Sequence, residues 1–159
     1  SRGLGDVYKR QVIQKYVQSE RKSCEAGGIL IGRENCGNSN LIIEFITEPM
    51  TADQRSRNRF LRKDKRHLDF FKKLYEENEG VYGYMGEWHT HPENIPQYSF
   101  IDSNNWKKIG KEMKGGIQYH IIAGIQEVGI WEYNAVQKRI TKICSIDWKG
   151  ILKENETII

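Results

Sequence analysis

Short apolar runs recur along both halves of the chain, and most of them predict β-strands. "GGILIG" and "LIIEFITEP" are rich in β-branched residues, and we expect them to form a hairpin through the polar loop "ENCGNSN". Pro49 ends the second of these strands, because proline cannot donate to a sheet ladder. In the second half, two or three further strands are predicted from "IQYHIIAGI", "VGIWEYN" and "KRITKICSID".

Helical spacing of apolar side chains appears in three other segments, residues 12–17, 53–78 and 99–113. The stripe of the second segment consists of Phe60, Asp64, Leu68, Phe71 and Tyr75. The third helix is expected to begin at Ser99, which precedes Asp102 at the spacing of an N-cap residue. The mixture of strands and helices predicts an α/β (α+β) fold, a single domain in which a curved mixed β-sheet is flanked by helices.

The expected domain covers residues 12–148, with distinct segments at both ends. The first eleven residues, "SRGLGDVYKRQ", develop no strand or helix period, and we interpret them as a non-native or disordered leader. Residues 149–159 also lack a clear period and are expected to form a C-terminal tail.

Composition favours a soluble, cytoplasmic protein without a membrane partner. A chain of 159 residues with 38% hydrophobic residues suits one domain. No apolar run approaches the roughly 20 residues that cross a bilayer, and no signal peptide is evident. Cys24, Cys36 and Cys144 are odd in number and lack a CxxC spacing, so we expect reduced thiols instead of disulfides or a cysteine-rich zinc site.

The positive charge is concentrated in one segment, residues 55–73, where nine basic and two acidic residues give a net charge of +7. This pattern fits either the solvated face of a helix or a docking surface for an acidic partner, protein or nucleic acid. The formal net charge of the whole chain is only +4, and it falls to +2 without the first eleven residues. Nucleic acid is therefore not the partner that we expect.

The segment "VYGYMGEWHTH" predicts a strand that carries candidate metal ligands. Alternate residues of a strand share a face, so His89 and His91 project to one side with Glu87, while Trp88 and Thr90 point into packing. Their Cα atoms are expected to lie about 6–7 Å apart, which allows both imidazoles to reach one ion. A zinc ion bound in this way would lie about 2.0–2.1 Å from each nitrogen.

A catalytic zinc also needs a third protein ligand, an open position and a general base. Asp102 can supply the third ligand, because the loop after His91 is long enough to return the chain to the strand end. Glu25, directly before a glycine-pinned strand, is the candidate base, whereas Glu87 is interpreted as a supporting or surface residue. The hydroxyl of Ser99 is placed to stabilise a developing oxyanion.

These residues together resemble the JAMM (MPN+) metalloprotease motif, E…HxH-x(7)-SxxD, at all of its positions. The resemblance covers about residues 12–146 and implies that family's fold and zinc-dependent hydrolysis at the C-terminus of a ubiquitin-like protein. It implies His89, His91 and Asp102 as metal ligands, Glu25 as base and Ser99 as oxyanion donor. "GEWHTHP" and "RSRNRF" further resemble small bacterial JAMM peptidases that deconjugate target proteins in anti-phage CBASS operons.

Two other functions remain open from the sequence. Related small bacterial proteins release cysteine from the C-terminal tail of a sulfur-carrier protein with the same site. A non-catalytic scaffold or binding domain is the alternative of another class, and the intact site residues argue against it. Among the other histidines, His67 and His120 are expected to be structural. A zinc deaminase is excluded because the PCxxC element that it requires is missing.

Overall fold

The computed structural model describes residues 2–34, 41–114 and 116–151, and a mixed β-sheet forms its centre. In chain order the elements are α1 (Arg2–Lys15), β1 (Gly27–Glu34), β2 (Leu41–Ile46), β3 (Gln54–Ser56), β4 (Arg59–Leu61), α2 (Arg66–Glu77), β5 (Gly83–Thr90), α3 (Phe100–Glu112), β6 (Ile117–Ala123), β7 (Glu127–Asn134), β8 (Arg139–Asp147) and α4 (Trp148–Ile151). None of the helices described has the length and apolar character of a membrane-spanning segment.

The main sheet has six strands in the order β2-β1-β5-β6-β7-β8, and β3 and β4 form a separate two-stranded sheet. Strands β5 and β6 run parallel, and every other pair in the main sheet is antiparallel. The predicted mixed sheet with flanking helices is thereby confirmed, as is the pairing of β1 with β2. Glu34, the first residue of the predicted loop, belongs to β1, and the rest of that loop, residues 35–40 with Cys36, lies outside the described residues.

Buried apolar side chains form two clusters in the described chain. The larger cluster includes Ile13 of α1 together with Leu30, Ile43, Trp88 and Ile121 of the main sheet. The smaller one joins α3 to the sheet and consists of Trp106, Ile122, Trp131 and Tyr133. Burial of each such side chain contributes about 1.5–3 kcal/mol to folding. The second cluster fixes α3 on the sheet, and α3 begins at the candidate site.

Helix α1 begins at Arg2, whereas the apolar spacing predicted a helix only from Val12. Val12 and Ile13 are buried as expected, but Lys9 and Arg10 are buried as well. The ammonium group of Lys9 donates to the backbone carbonyl of Ile43 in β2. A hydrophobicity pattern counts lysine and arginine as polar and therefore misses the helical turn that contains them. Their aliphatic stems can nevertheless be buried against the rest of the protein. The non-native origin of residues 1–11 stays a prediction.

The helix predicted over residues 53–78 is wrong in its first half. Residues 54–61 form the β3–β4 hairpin, in which Gln54 pairs with Leu61 and Ser56 with Arg59. The carboxylate of Asp53 accepts the backbone N–H groups of Lys63 and Asp64 at 2.9 and 2.8 Å. Because these hydrogen bonds close the segment into a loop, helix α2 begins only at Arg66.

Side chains were predicted to alternate between the two faces of β5. The structure confirms this alternation near the two histidines but not in the preceding part of the strand. Trp88 and Thr90 are buried as predicted, with 1% and 0% of their surface exposed. The pairing of β1 with β5 shifts register next to Gly86, whose φ of 145° favours glycine. A Cβ atom at Gly86 would lie 1.7 Å from the carbonyl oxygen of Tyr119. The hydroxyl of Tyr84 therefore reaches Glu87, at 2.9 Å, instead of pointing to the opposite face.

Candidate metal centre

Strand β5 presents His89 and His91 side by side, with their Nε2 atoms 3.0 Å apart. The strand is held from both edges, because it pairs with β1 and with β6. On its other face the indole of Trp88 donates to the carbonyl of Thr47 at 2.9 Å, and Thr90 is fully buried. Packing behind the strand thus fixes the two imidazoles in front of it.

The start of helix α3 brings Asp102 to these two imidazoles. Oδ1 of Asp102 lies 3.1 Å from Nε2 of His89, and Oδ2 lies 3.3 Å from Nε2 of His91. The Asp102 carboxylate also accepts the backbone N–H of Ser99 at 2.7 Å, while Ser99 Oγ accepts the N–H of Asp102 at 3.1 Å. This capping box fixes both the helix start and the direction of the carboxylate.

The three side chains fit a single metal ion. Their ligand atoms all lie within 4.8 Å of one another, and the closest approaches are 3.0–3.3 Å. Ligands placed tetrahedrally at about 2.0–2.1 Å from an ion lie about 3.3 Å from one another. Two imidazole nitrogens and one carboxylate oxygen also form a common donor set of catalytic metal sites, which leave a coordination position open.

A carboxylate that sequence reasoning missed stands behind one of the ligands. Oε1 of Glu93 lies 2.9 Å from Nδ1 of His91 and accepts the backbone N–H of Gln97 at 3.0 Å. Burial by itself lowers the pKa of His91, but hydrogen bonds to Asp102 and Glu93 raise it to about 9. A carboxylate on the remote ring nitrogen directs Nε2 towards the ion. No motif in the sequence identifies Glu93. The one available indication is that it follows His91 by two residues.

Antiparallel pairing of β1 with β5 places Glu25 beside the ligands. Gly27 is the partner of His89, so Glu25, two residues earlier, lies opposite His91 and on the same face. A Cβ atom at Gly27 would lie 2.5 Å from the ring of Phe60. Glycine at this position therefore lets the β3–β4 hairpin cover β1 next to Glu25. The structure thus brings together the base candidate and the three ligand candidates predicted from the sequence.

The electrostatic surroundings of Glu25 suit a group that exchanges protons near neutrality. Burial raises the pKa of Glu25 to about 7, against the opposing influence of His89 and His91. The charge of Asp102 raises this pKa further, and the backbone N–H of Phe60, which donates to the Glu25 carboxylate, lowers it. General bases work best when their pKa lies close to the operating pH.

Ser99 lies at the same site, and its hydroxyl donates to no partner among the described residues. Its Oγ acts as acceptor in the helix cap, so the hydroxyl hydrogen remains available to a bound substrate. Ser99 is exposed and lines the cleft that contains Glu25, His89 and Asp102. The cleft has a volume of about 910 Å³, within the usual range for ligand sites.

Glu87 also lines this cleft, where it has a supporting position. Its Oε1 atom accepts hydrogen bonds from Arg62 at 2.7 Å and from Tyr84 at 2.9 Å. The remaining histidines are structural, as predicted. His67 is fully buried between Thr47 and Asp53, and His120, also fully buried, stacks on Trp106 with ring centroids 4.4 Å apart.

Comparison with known proteins agrees with this geometry. Residues 9–136 match the family model described as prokaryotic homologs of the JAB domain. A protein of Escherichia coli (strain TW11681) named CD-NTase/cGAS isopeptidase is 39% identical over 94 residues, which make up 59% of each chain. A protein of the same name from Pseudomonas aeruginosa is 31% identical over 104 residues, or 65% of each chain. The matched part of this chain therefore spans less than two thirds of the length of these relatives.

A solution structure of a protein from Desulfitobacterium hafniense has the same fold. The two chains superpose with a TM-score of 0.57 at 16% sequence identity, over 88% of this chain and 86% of the other. At this level of identity the likeness is one of fold alone, and it agrees with the mixed sheet described above.

Proposed function

The chain belongs to the family of prokaryotic JAB-domain homologues, and on that premise we propose that it is a zinc-dependent isopeptidase. Its reaction is hydrolysis of the amide bond between the C-terminus of a ubiquitin-like protein and a conjugated target. The observation that carries this proposal is the position of Glu25, which lies two residues before β1 and, by the register of β1 with β5, opposite His91 and close to the three ligand candidates. A binding module needs no buried carboxylate at that point.

His89, His91 and Asp102 would hold the zinc ion, with Glu93 orienting His91 from behind. When bound, zinc supplies Lewis acidity in the cleft and lowers the pKa of water there to around 7. The chain's own contribution is to fix these donors before the substrate arrives. Pairing on both edges of β5 and the capping box of α3 provide this fixed geometry.

Glu25 acts as general base and then as general acid. Its carboxylate takes a proton from the attacking water, whose oxygen forms the new bond to the scissile carbonyl carbon. The same carboxyl group then gives the proton to the departing amine as the C–N bond breaks. The hydroxyl of Ser99 donates to the carbonyl oxygen while negative charge develops on that atom.

The substrate tail enters the cleft as an extended segment. Strand β4 lines the cleft and, within the described chain, pairs only with β3. Its outer edge faces the active site, because the backbone N–H of Phe60 donates to the Glu25 carboxylate. An extended peptide can add to such an edge as a further strand. The names of the relatives make a conjugated CD-NTase the target that we propose, in a CBASS anti-phage setting.

A cleavage assay with defined substrates tests this function. The zinc-loaded full chain is incubated with ubiquitin-like proteins fused or isopeptide-linked to a reporter, and mass spectrometry identifies the new C-terminus. We expect cleavage directly after the modifier tail, and a loss of about 10²–10⁴-fold in rate for Glu25→Gln. Glu76→Gln, an exposed change on α2, is the matched control and should cleave as wild type does.

The remaining arms of the same assay address the other functions. Release of cysteine from a sulfur-carrier–cysteine adduct, without cleavage of modifier conjugates, would assign the site to sulfur-carrier processing. Binding of conjugates without turnover, by a zinc-loaded protein, would identify a scaffold. Cleavage at the wild-type rate by Glu25→Gln would overturn the proposed chemistry.

A further inference from the structure

The basic segment of residues 55–73 is mostly engaged within the protein. Arg55 and Arg57 donate to backbone carbonyls, whereas Arg62 and Arg66 pair with carboxylates. These four guanidinium groups stabilise the hairpin and the start of α2. Lys65 and Lys73 form ion pairs with Asp69 and Glu77 of α2. The basic residues of this segment therefore do not form a uniform docking surface. Only those without an internal partner can contribute to one.

Two of the remaining cations, Arg59 and Lys63, line the cleft of the candidate metal centre. Arg59 lies in β4, and Lys63 follows that strand. Both side chains are exposed, and neither forms a hydrogen bond or an ion pair with the part of the chain that the structure describes. Lys72, a third cation of the segment, is exposed on α2 and does not line the cleft.

A further cation reaches the cleft from α3. Lys108 follows Ile101 and Asn105 at helical spacing, and all three residues line the cleft. Lys108 is exposed and has no ion pair among the described residues. The sequence placed it outside the basic segment, so only the fold associates it with Arg59 and Lys63.

Acidic groups of the cleft have other partners and do not neutralise these cations. Glu87 is bound by Arg62, and Glu93 lies against the ring of His91. Asp102 is held by both histidines and by its helix cap, and Glu25 is buried and accepts a backbone hydrogen bond. An excess of positive charge is left on the exposed lining of the cleft.

We propose that Arg59, Lys63 and Lys108 form a cationic rim that binds acidic side chains of the polypeptide entering the cleft. The proposal rests on the function proposed above and adds to it a preference in substrate sequence. Aspartate or glutamate residues on either side of the scissile bond would pair with the rim, while the bond itself lies at the metal ligands. Such pairing also attracts the substrate over a distance, because exposed charges of one sign around a cleft focus the electric field.

An acidic polypeptide fits this rim better than nucleic acid does. Sequence-independent binding of nucleic acid relies on a charged groove and on exposed aromatic rings for stacking bases. The rim has three cations, which suits a few acidic side chains better than the continuous run of phosphates along a nucleic-acid strand. Trp88 and Trp106, which contribute to the same cleft, are 1% exposed, so Tyr98, 41% exposed, is the one strongly exposed aromatic ring among the described lining residues.

Peptide binding without turnover tests the rim. Fluorescein-labelled decapeptides with a central Gly-Gly and flanking glutamates, serines or lysines are titrated into full-length Glu25→Gln protein, followed by fluorescence anisotropy. Rim variants Arg59→Gln, Lys63→Gln and Lys108→Gln are made singly and together, with Lys72→Gln as a charge-matched control. A labelled dT12 oligonucleotide is the nucleic-acid arm, and circular dichroism checks the fold of each variant.

We expect the glutamate peptide to bind at least tenfold more tightly than the serine peptide, with a preference that fades at high salt. Each rim variant should lose roughly two- to fivefold in affinity for it, and Lys72→Gln should lose nothing. Equal binding of the three peptides, no binding up to about 1 mM, or tighter binding of dT12 would overturn the rim. Because no arm requires hydrolysis, failure of the proposed reaction in the cleavage assay would be seen separately.

Discussion

Oε1 of Glu93 lies 2.9 Å from Nδ1 of His91, and this contact joins a candidate metal ligand to the loop that leads to α3. The same carboxylate oxygen accepts the backbone N–H of Gln97. One side chain therefore holds both the ring orientation of a ligand and the path of the chain towards Ser99 and Asp102. Glu93 is a positioning residue, since it touches neither the ion nor the substrate in the proposed reaction.

Replacing Glu93 should weaken metal binding without unfolding the protein. For Glu93→Ala we expect a loss of about 10–100-fold in zinc affinity, the usual effect of removing the partner of a ligating histidine. Glu93→Gln should lose less, because its amide oxygen can still accept both hydrogen bonds. Competition with a chromogenic chelator measures the affinity, and Glu76→Gln is the control. Unchanged affinity in Glu93→Ala would show that the contact does not orient His91.

Ser99 has two roles in this account, and different substitutions separate them. Ser99→Ala removes the acceptor for the N–H of Asp102, so the free energy of unfolding should fall by about 0.5–2 kcal/mol. It also removes the oxyanion donor, so kcat should fall by about 10²–10³-fold. Urea unfolding and steady-state cleavage measure the two effects on the same variant.

Ser99→Gly and Ser99→Thr complete this comparison. Glycine is tolerated at an N-cap at a cost of only a few tenths of a kcal/mol and has no side-chain donor, so we expect near-normal stability and a kcat as low as that of Ser99→Ala. Threonine keeps the hydroxyl and should retain most of the activity. If Ser99→Gly were as active as wild type, the serine would be only a helix cap.

A buried network away from the cleft makes stability depend on acidic pH. Nε2 of His67 lies 2.7 Å from Asp53, and Nδ1 lies 2.6 Å from the hydroxyl of Thr47. Burial by itself raises the pKa of Asp53, but hydrogen bonds from backbone N–H groups and from His67 lower it below the ordinary value. A lowered pKa stabilises the folded state above the unfolded pKa of about 3.9, and this contribution is lost as the pH falls further.

Asp53→Asn should therefore destabilise the protein by about 2–4 kcal/mol at pH 5, with a smaller difference at pH 3. Asp69→Asn, an exposed change on α2, is the matched control and should have little effect at either pH. Urea unfolding followed by tryptophan fluorescence measures both. If the difference in unfolding free energy between wild type and Asp53→Asn grew on acidification, the pKa of Asp53 would not be lowered in the folded state.

Local patterns in the sequence were sufficient to predict most of the candidate site. His89 and His91 share a face because a strand alternates, and Ser99 with Asp102 marks a helix start by its spacing. Their convergence within 3.3 Å depends on the loop between them, yet that loop is short enough for the sequence to suggest it. Glu25 required the resemblance to a family, since its place opposite His91 comes from pairing between distant strands.

Features set by contacts between distant segments escaped prediction. The β3–β4 hairpin has the apolar spacing of a helix because Phe60 falls in the stripe of α2, whereas the carboxylate of Asp53 closes that segment into a loop. Lys108 carries no signal in the sequence, and only the fold shows that it lines the cleft. In each case the decisive interaction joins residues that no periodic pattern connects.

Dependence of cleavage on added zinc is the decisive test of the proposed reaction. Metal-stripped protein is given increasing amounts of zinc, and cleavage of the modifier conjugate is measured at each step beside Asp102→Asn. We expect no cleavage without metal, a rise in proportion to added zinc that stops at one ion per chain, and no rise over this range for Asp102→Asn. Full activity of the stripped protein, or an unchanged titration for Asp102→Asn, would contradict the proposed reaction.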